Sequence, residues 1–154
     1  PDVPLVRANA NQIQQVLLNL LINARQAMPD GGTILLRLQY HPDQQMVAII
    51  VRDSGGGIPQ EKLPRIFDPF FSTKSGPDSS GKGGTGLGLS SCRNIIDGHQ
   101  GRIRVASTVG QGTQFTIMLP VAKTTANSEA ANPPSPVIAP EAASFNTPDN
   151  RASA

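Results

Sequence analysis

The sequence predicts an α+β fold, a two-layer α/β sandwich with a mixed, mostly antiparallel sheet and its helices on one face. Three observations carry that expectation. Apolar residues recur at three- and four-residue spacing in two segments, and they alternate singly in several others. The alternating segments come in pairs joined by tight Gly-, Pro- or Asp-containing turns. Turns that short join antiparallel neighbours, whereas parallel strands need crossovers of a dozen or more residues.

The elements follow in order. Leu5–Arg7 reads as a short strand, with a polar break at Asn9–Asn11 after it. Ile13, Val16, Leu17, Leu20, Leu21 and Ala24 then mark an amphipathic helix, which Asn9 or Asn11 is placed to cap. Pro29-Asp30-Gly31-Gly32 ends it. Ile34, Leu36, Leu38 and Tyr40 alternate with more polar neighbours as a strand, and Val47–Val51 reads as a second, more buried one. With His41-Pro42-Asp43 as the turn, the two form a hairpin expected to lay one face on the core. Gln60–Ile66 suits a short helix after Pro59. Asp68–Thr85 lacks any period and is rich in Gly, Ser and Pro, a length and composition typical of a functional lid. A helix from about Gly86 to Asp97 carries Leu89, Cys92, Ile95 and Ile96 on one face, and Gly98 and Gly101 stop it. Ile103–Ser107 and Phe115–Leu119, joined by Gly110-Gln111-Gly112, close the sheet.

Beyond Pro120 the character changes. Ala, Pro, Ser and Asn dominate, with too few large apolar residues to offset the entropy of ordering the chain. The expected organisation is therefore a folded domain over residues 1–121 and a disordered tail over 122–154. Thirteen basic against eleven acidic residues give a net charge of +2, too small to argue for a nucleic-acid partner or for membrane contact by this segment. The absence of Trp and the single Tyr also remove the aromatic platforms of a single-strand binder. With Cys92 as its one cysteine, the chain can form no internal disulfide and no cysteine-rich metal site, which suits the cytoplasm. No apolar run reaches the roughly 18 residues of a membrane span. The chain opens on Pro1-Asp2-Val3-Pro4, without Met or a basic leader, and is expected to be cut from a longer protein. Any membrane anchor would lie elsewhere in that protein.

Two glycine patterns mislead. Gly76 to Lys82 matches a phosphate loop until Gly83 replaces the required Ser or Thr, and no strand leads into it. Gly81 to Gly86 matches a dinucleotide fingerprint, again without its strand and without an acidic residue at the right distance downstream. Both arise from one glycine-rich loop.

Other features point to chemistry. Gln15, Asn19 and Asn23 fall in one stripe beside the apolar face of the first helix, where amide oxygens can meet a hydrated magnesium ion or form an ordinary boundary stripe. Asp53 ends a buried strand and opens Asp53-Ser54-Gly55-Gly56-Gly57-Ile58-Pro59, so a carboxylate stands beside backbone that a flat ligand can approach. Gly83-Gly84-Thr85-Gly86-Leu87-Gly88-Leu89 leads into a helix, and N–H groups at a glycine-rich helix start make an anion site.

In this order the pieces resemble the GHKL ATP-binding fold, also called the Bergerat fold, shared by histidine kinases, type II topoisomerases, heat-shock chaperones and mismatch-repair ATPases. The histidine-kinase branch is most similar. Gln15 to Ala24 looks like its N box, Asp53 to Ile58 its first glycine box, and Phe67 to Lys74 its F box. Gly84 to Leu89 looks like its second glycine box, and Gly110 to Phe115 like its closing motif near the adenine pocket. The resemblance covers about residues 2–120.

It implies ATP and Mg²⁺ as cofactors and a role for each matching residue. Asn23 would coordinate the metal, with Asn19 helping to hold metal and phosphates; Asn19 and Lys74 are the expected catalytic residues. Asp53 would bind the adenine amino group, supported by Thr113 through water, over a floor of Gly55, Gly57 and Ile58. Phe70, Phe71 and Lys74 would belong to the lid, and Gly84, Thr85, Gly86, Leu87, Gly88 and Leu89 would hold phosphate. Where hydrolysing relatives carry a Glu, this chain has Asn19, a poor base, so transfer to a better nucleophile is favoured over hydrolysis. Gln26 stands where many members have a basic residue, leaving Lys74 or Lys82 to contact phosphate.

The implied function is transfer of the γ-phosphoryl group to a histidine on a separate helical dimerisation domain, within a two-component sensor kinase. The implied partners are that phosphoacceptor domain of the same protein, a response-regulator receiver domain, and a second copy in a homodimer. Neither His41 nor His99 sits on a helix before an acidic residue, as the phosphoacceptor does. The alternatives are an ATPase or serine kinase of the same fold, which the F box and Asn19 disfavour, and a nucleotide-sensing module, which would need a damaged box.

Overall fold

The computed structural model describes residues 3–71 and 86–122. Two helices, α1 (Ala10–Gln26) and α2 (Gly88–Gly98), pack together over one sheet. Its four strands are β1 (Ile34–His41), β2 (Met46–Asp53), β3 (Arg102–Thr108) and β4 (Gly112–Pro120). They lie in the order β1-β2-β4-β3, and every neighbouring pair is antiparallel.

The helix ends follow from local chemistry. Asn9, rather than Asn11, caps α1: its side chain accepts from the N–H groups of Asn11 and Gln12. At the far end of α2 the left-handed residue is neither expected glycine but Gln100, with φ 57°. Gly101 is needed next to it for space, because a Cβ there would lie 2.5 Å from the Met118 carbonyl. The first predicted helical residue, Gly86, precedes α2 and has φ +67°. Leu5–Arg7 forms only a bridge from Val6 to Val121, and Gln60–Ile66 holds a single 3-10 turn at Leu63–Arg65.

Register sorts the strand residues into two faces. Leu36, Val51, Phe115 and Val105 form one row on the helix side, and Leu38, Ile49, Ile117 and Ile103 the next. With Val16, Leu20, Cys92, Ile96 and Leu119 most of these build the core. Fully burying one such aliphatic side chain stabilises the fold by about 1.5–3 kcal/mol. The hairpin expectation needs one correction: Leu36 and Leu38 remain 55% and 57% exposed, so β1 pairs at the sheet edge without packing its face on the core. The expected lid, except its flanks, and the tail beyond Ala122 lie outside the described residues. No helix among the described residues is long and apolar enough to cross a membrane.

Candidate functional site

Asp53 lies at the end of β2, buried, with its carboxylate Oδ1 accepting from the Gly55 N–H at 2.9 Å and the Thr113 N–H at 3.1 Å. Oδ2 accepts no hydrogen bond among the described residues. No described side-chain oxygen shut off from solvent lacks a partner, so Oδ2 is not wholly enclosed. One oxygen is thus fixed by the fold and the other is left without a protein donor among the described residues.

The loop after Asp53 is tied down on both sides. The Gly56 N–H donates to the Ala27 carbonyl at the end of α1, and the Gly56 carbonyl accepts from Gly110 N–H in the β3–β4 turn. Gly55 lies against Ala27, where a Cβ would sit 2.6 Å from the carbonyl oxygen. Gly57 has φ +73°, and a Cβ there would run into the Thr108 carbonyl. The Ile58 N–H donates to Ser107 Oγ at 2.8 Å.

Ser107, on the inward face of β3, was missed by the sequence reading. Its hydroxyl meets three groups: the Ile58 N–H, the Gly112 carbonyl at 2.9 Å and Thr113 Oγ1 at 2.9 Å. A carbonyl can only accept, so the single Ser107 proton goes to Gly112. Thr113 must therefore donate to Ser107, which leaves Thr113 Oγ1 as an acceptor beside Asp53. Gln60 adds a bond from its amide to the Ser107 carbonyl at 2.9 Å. The signal in sequence was a hydroxyl at the inward phase of Ile103-Arg104-Val105-Ala106-Ser107.

Across the helix pair, Asn19 Nδ2 donates to the Gly88 carbonyl at 3.4 Å and contacts Cys92 Sγ at 3.7 Å. The amide is thereby oriented, with Oδ1 turned away from α2. Asn23, one turn on, is half-buried, and its side chain makes no hydrogen bond among the described residues. Gln15, in the same predicted stripe, is exposed. Burial pushes the Cys92 thiol up, against the opposing hydrogen bond from Asn19. It is a core thiol.

The flanks of the lid segment meet: Phe70 N–H donates to the Gly86 carbonyl at 3.1 Å. The two phenylalanines expected in the lid differ. Phe70 is 77% exposed, whereas Phe71 packs against the core with the Arg65 guanidinium 4.8 Å over its ring. Leu87 precedes α2 half-exposed, and Leu89 packs on the core. Lys74, Lys82, Gly84 and Thr85 lie outside the described residues. His99 bridges the helices: Nε2 accepts from Asn9 N–H at 2.9 Å, so Nδ1 carries the proton donated to the Ile95 carbonyl at 2.7 Å.

The donor set suits a magnesium nucleotide. No cluster of three or more His, Cys, Asp or Glu occurs among the described residues. Mg²⁺ does not require one, since it keeps waters and substrate phosphates as ligands and takes one or two from protein. Amide oxygens at positions 19 and 23 fit that demand.

Residues 8–123 match the family described as histidine kinase-, DNA gyrase B-, and HSP90-like ATPase. Sporulation kinase E of Bacillus subtilis (strain 168) is 43% identical over 120 residues, 78% of this chain but 15% of that kinase. The chain thus spans a small part of that relative's length. Among solved structures, the catalytic domain of histidine kinase ThkA is 38% identical, with a TM-score of 0.62 over 75% of this chain and 70% of that one. Full-length ShkA in complex with AMPPNP is 29% identical, with a TM-score of 0.67 over 78% of this chain and 24% of that one.

Proposed function

Because the chain belongs to the histidine kinase-, DNA gyrase B-, and HSP90-like ATPase family, in its histidine-kinase branch, we propose that it binds Mg-ATP and passes the γ-phosphoryl group to a histidine on a separate helical dimerisation domain. The observation that carries the reading is Asp53: buried, with Oδ1 held by two backbone donors and Oδ2 left without one among the described residues. A carboxylate so fixed is an acceptor for the exocyclic amine of adenine. Thr113 Oγ1, an acceptor by the proton count at Ser107, holds a water against the ring. Gly55, Gly57 and Ile58 form the floor, the two glycines letting the loop lie against the Ala27 and Thr108 carbonyls.

Asn19 and Asn23 would hold the metal and phosphates, and a bound metal would supply charge neutralisation for the transferring phosphate. Gly84, Thr85, Gly86, Leu87, Gly88 and Leu89, ahead of and opening α2, give phosphate donors, and Lys74 adds charge from the lid with Phe70 and Phe71. Asn19 lacks the basicity to activate water, so the transferred group goes to an imidazole rather than to solvent. The working unit is residues 1–121, followed by a tail. In the intact protein it acts in the cytoplasm within a homodimer and passes phosphate onward to a receiver domain.

Titration calorimetry of Asp53→Ala and Asn23→Ala tests the pocket. Losing a charged hydrogen-bond acceptor costs about 1.5–3 kcal/mol, or roughly ten- to 150-fold in ATP affinity. The Asp53 loss persists in EDTA and with adenosine, whereas the Asn23 loss disappears in both. Parental ATP affinity in folded Asp53→Ala would place the pocket elsewhere.

A further inference from the structure

The sheet face turned away from the helices is chemically unlike the rest of the chain. Its register puts Leu35, Arg52, Gln114 and Ala106 in one row, Arg37, Ile50, Thr116 and Arg104 in the next, and Gln39, Ala48, Met118 and Arg102 in the third. Arg37, Arg52, Arg102 and Arg104 are all exposed. None makes a salt bridge: those among the described residues are Arg65–Asp68 and Arg93–Asp97, elsewhere on the molecule. The four strands contain one acidic residue, Asp53, and it faces inward. The face therefore carries four uncompensated positive charges on a chain whose net charge is +2, so everything else sums to −2.

The spacing makes these charges act together. Strands lie about 4.8 Å apart and alternate residues about 6.8 Å apart along a strand, so the four Cα atoms frame a patch on the order of 15 Å across. Arginine side chains can converge over its middle, where Thr116 and Gln114 add polar groups. A shallow cleft of about 160 Å³ opens beside Arg52, with Thr108, Gln111 and Gln114 in its lining.

We propose that this outer sheet face, centred on Arg37, Arg52, Arg102 and Arg104, docks an acidic protein segment. Guanidinium forks match carboxylates bidentately, and the interleaved Gln and Thr side chains can bond the backbone of such a segment. The chemistry fits other polyanions less well. Among the described strands the one ring on this face is the imidazole of His41 at its rim, a single platform where a single-strand binder uses several, and no Trp or Phe is present to seat in a lipid headgroup layer. A twisted sheet also meets a planar bilayer poorly.

The test uses the 154-residue chain and three probes: a fluorescent deca-glutamate peptide, phosphatidylserine vesicles and an oligo-dT strand. Anisotropy or vesicle co-sedimentation is read at 50 and 300 mM NaCl, with a deca-glutamine peptide as control. The expected result is binding of deca-glutamate over deca-glutamine that weakens with salt. It falls at least tenfold in Arg37→Glu/Arg104→Glu, while ATP affinity is kept. Arg37→Gln/Arg104→Gln, which removes charge without reversing it, gives an intermediate loss and guards against misfolding of the first variant. No deca-glutamate binding at 50 mM NaCl overturns the proposal, as does equal binding by the folded variants. Tighter binding of vesicles or oligo-dT than of deca-glutamate assigns the face to that polyanion instead and equally overturns it.

Discussion

Ser107 has one proton and three partners, and that inequality sets the polarity of the pocket floor. Because Gly112 takes the proton, Ser107 accepts from Ile58 N–H and Thr113 O–H. Thr113, whose N–H is held by Asp53, is then left with its hydroxyl lone pairs as acceptors. Ser107→Ala removes the hydroxyl but not the groups it served. The Ile58 N–H and the Gly112 carbonyl lose their partner in a buried site, a loss worth about 1–3 kcal/mol. Urea unfolding should show that drop in stability with an unchanged slope, since the surface exposed on unfolding is the same. A variant as stable as the parent would mean that water replaces the hydroxyl, and that Thr113 is not oriented by it.

At the level of elements, two neighbouring glycines separate the demands on the loop after β2. Gly57 combines φ +73° with a would-be Cβ against the Thr108 carbonyl, whereas nothing lies within 4 Å of the equivalent position at Gly56. Gly57→Ala should therefore cost more than about 1 kcal/mol from the left-handed backbone alone, and it should also push the loop off the β3–β4 turn. Gly56→Ala should stay within about 0.5 kcal/mol of the parent. Thermal unfolding of the two variants, with ATP affinity alongside, reads the contrast; equal tolerance at both positions would break the account. The sequence announced this loop but not its anchors. Helices and strands were legible because period 3.6 and period 2 are local, and so were a cap at Asn9 or Asn11 and Asp53 at a strand end. The exposure of Leu36 and Leu38 was hidden, because alternation marks a face without saying whether anything covers it. The order β1-β2-β4-β3 and the Ser107–Thr113–Asp53 cluster were hidden too, because they depend on pairings between residues as far apart as Met46 and Pro120.

For the whole molecule, the sheet separates two jobs: its helix side carries the core and Asp53, and its outer side carries charge. The proposed chemistry then needs a nucleophile from outside the pocket. Neither histidine is expected to supply one, since neither lies on a helix before an acidic residue and both ring nitrogens of His99 are hydrogen-bonded. Asn19 gives water no base. Incubated with Mg²⁺ and γ-labelled ATP, the chain should therefore stay unlabelled and release phosphate slowly. Adding a separately produced helical hairpin with a histidine followed by Asp or Glu should move acid-labile label onto the hairpin. Covalent linkage of two domains gives effective concentrations in the mM range, so a mixture at about 10 μM should transfer roughly a hundredfold more slowly than a linked pair. The rate should rise in proportion to hairpin concentration. With ATP below saturation, Asp53→Ala should slow transfer by the same factor as it weakens ATP binding, because adenine recognition acts before the phosphoryl group moves. Label retained on this chain, or phosphate release outrunning transfer at high hairpin concentration, would make it a self-acting kinase or an ATPase instead.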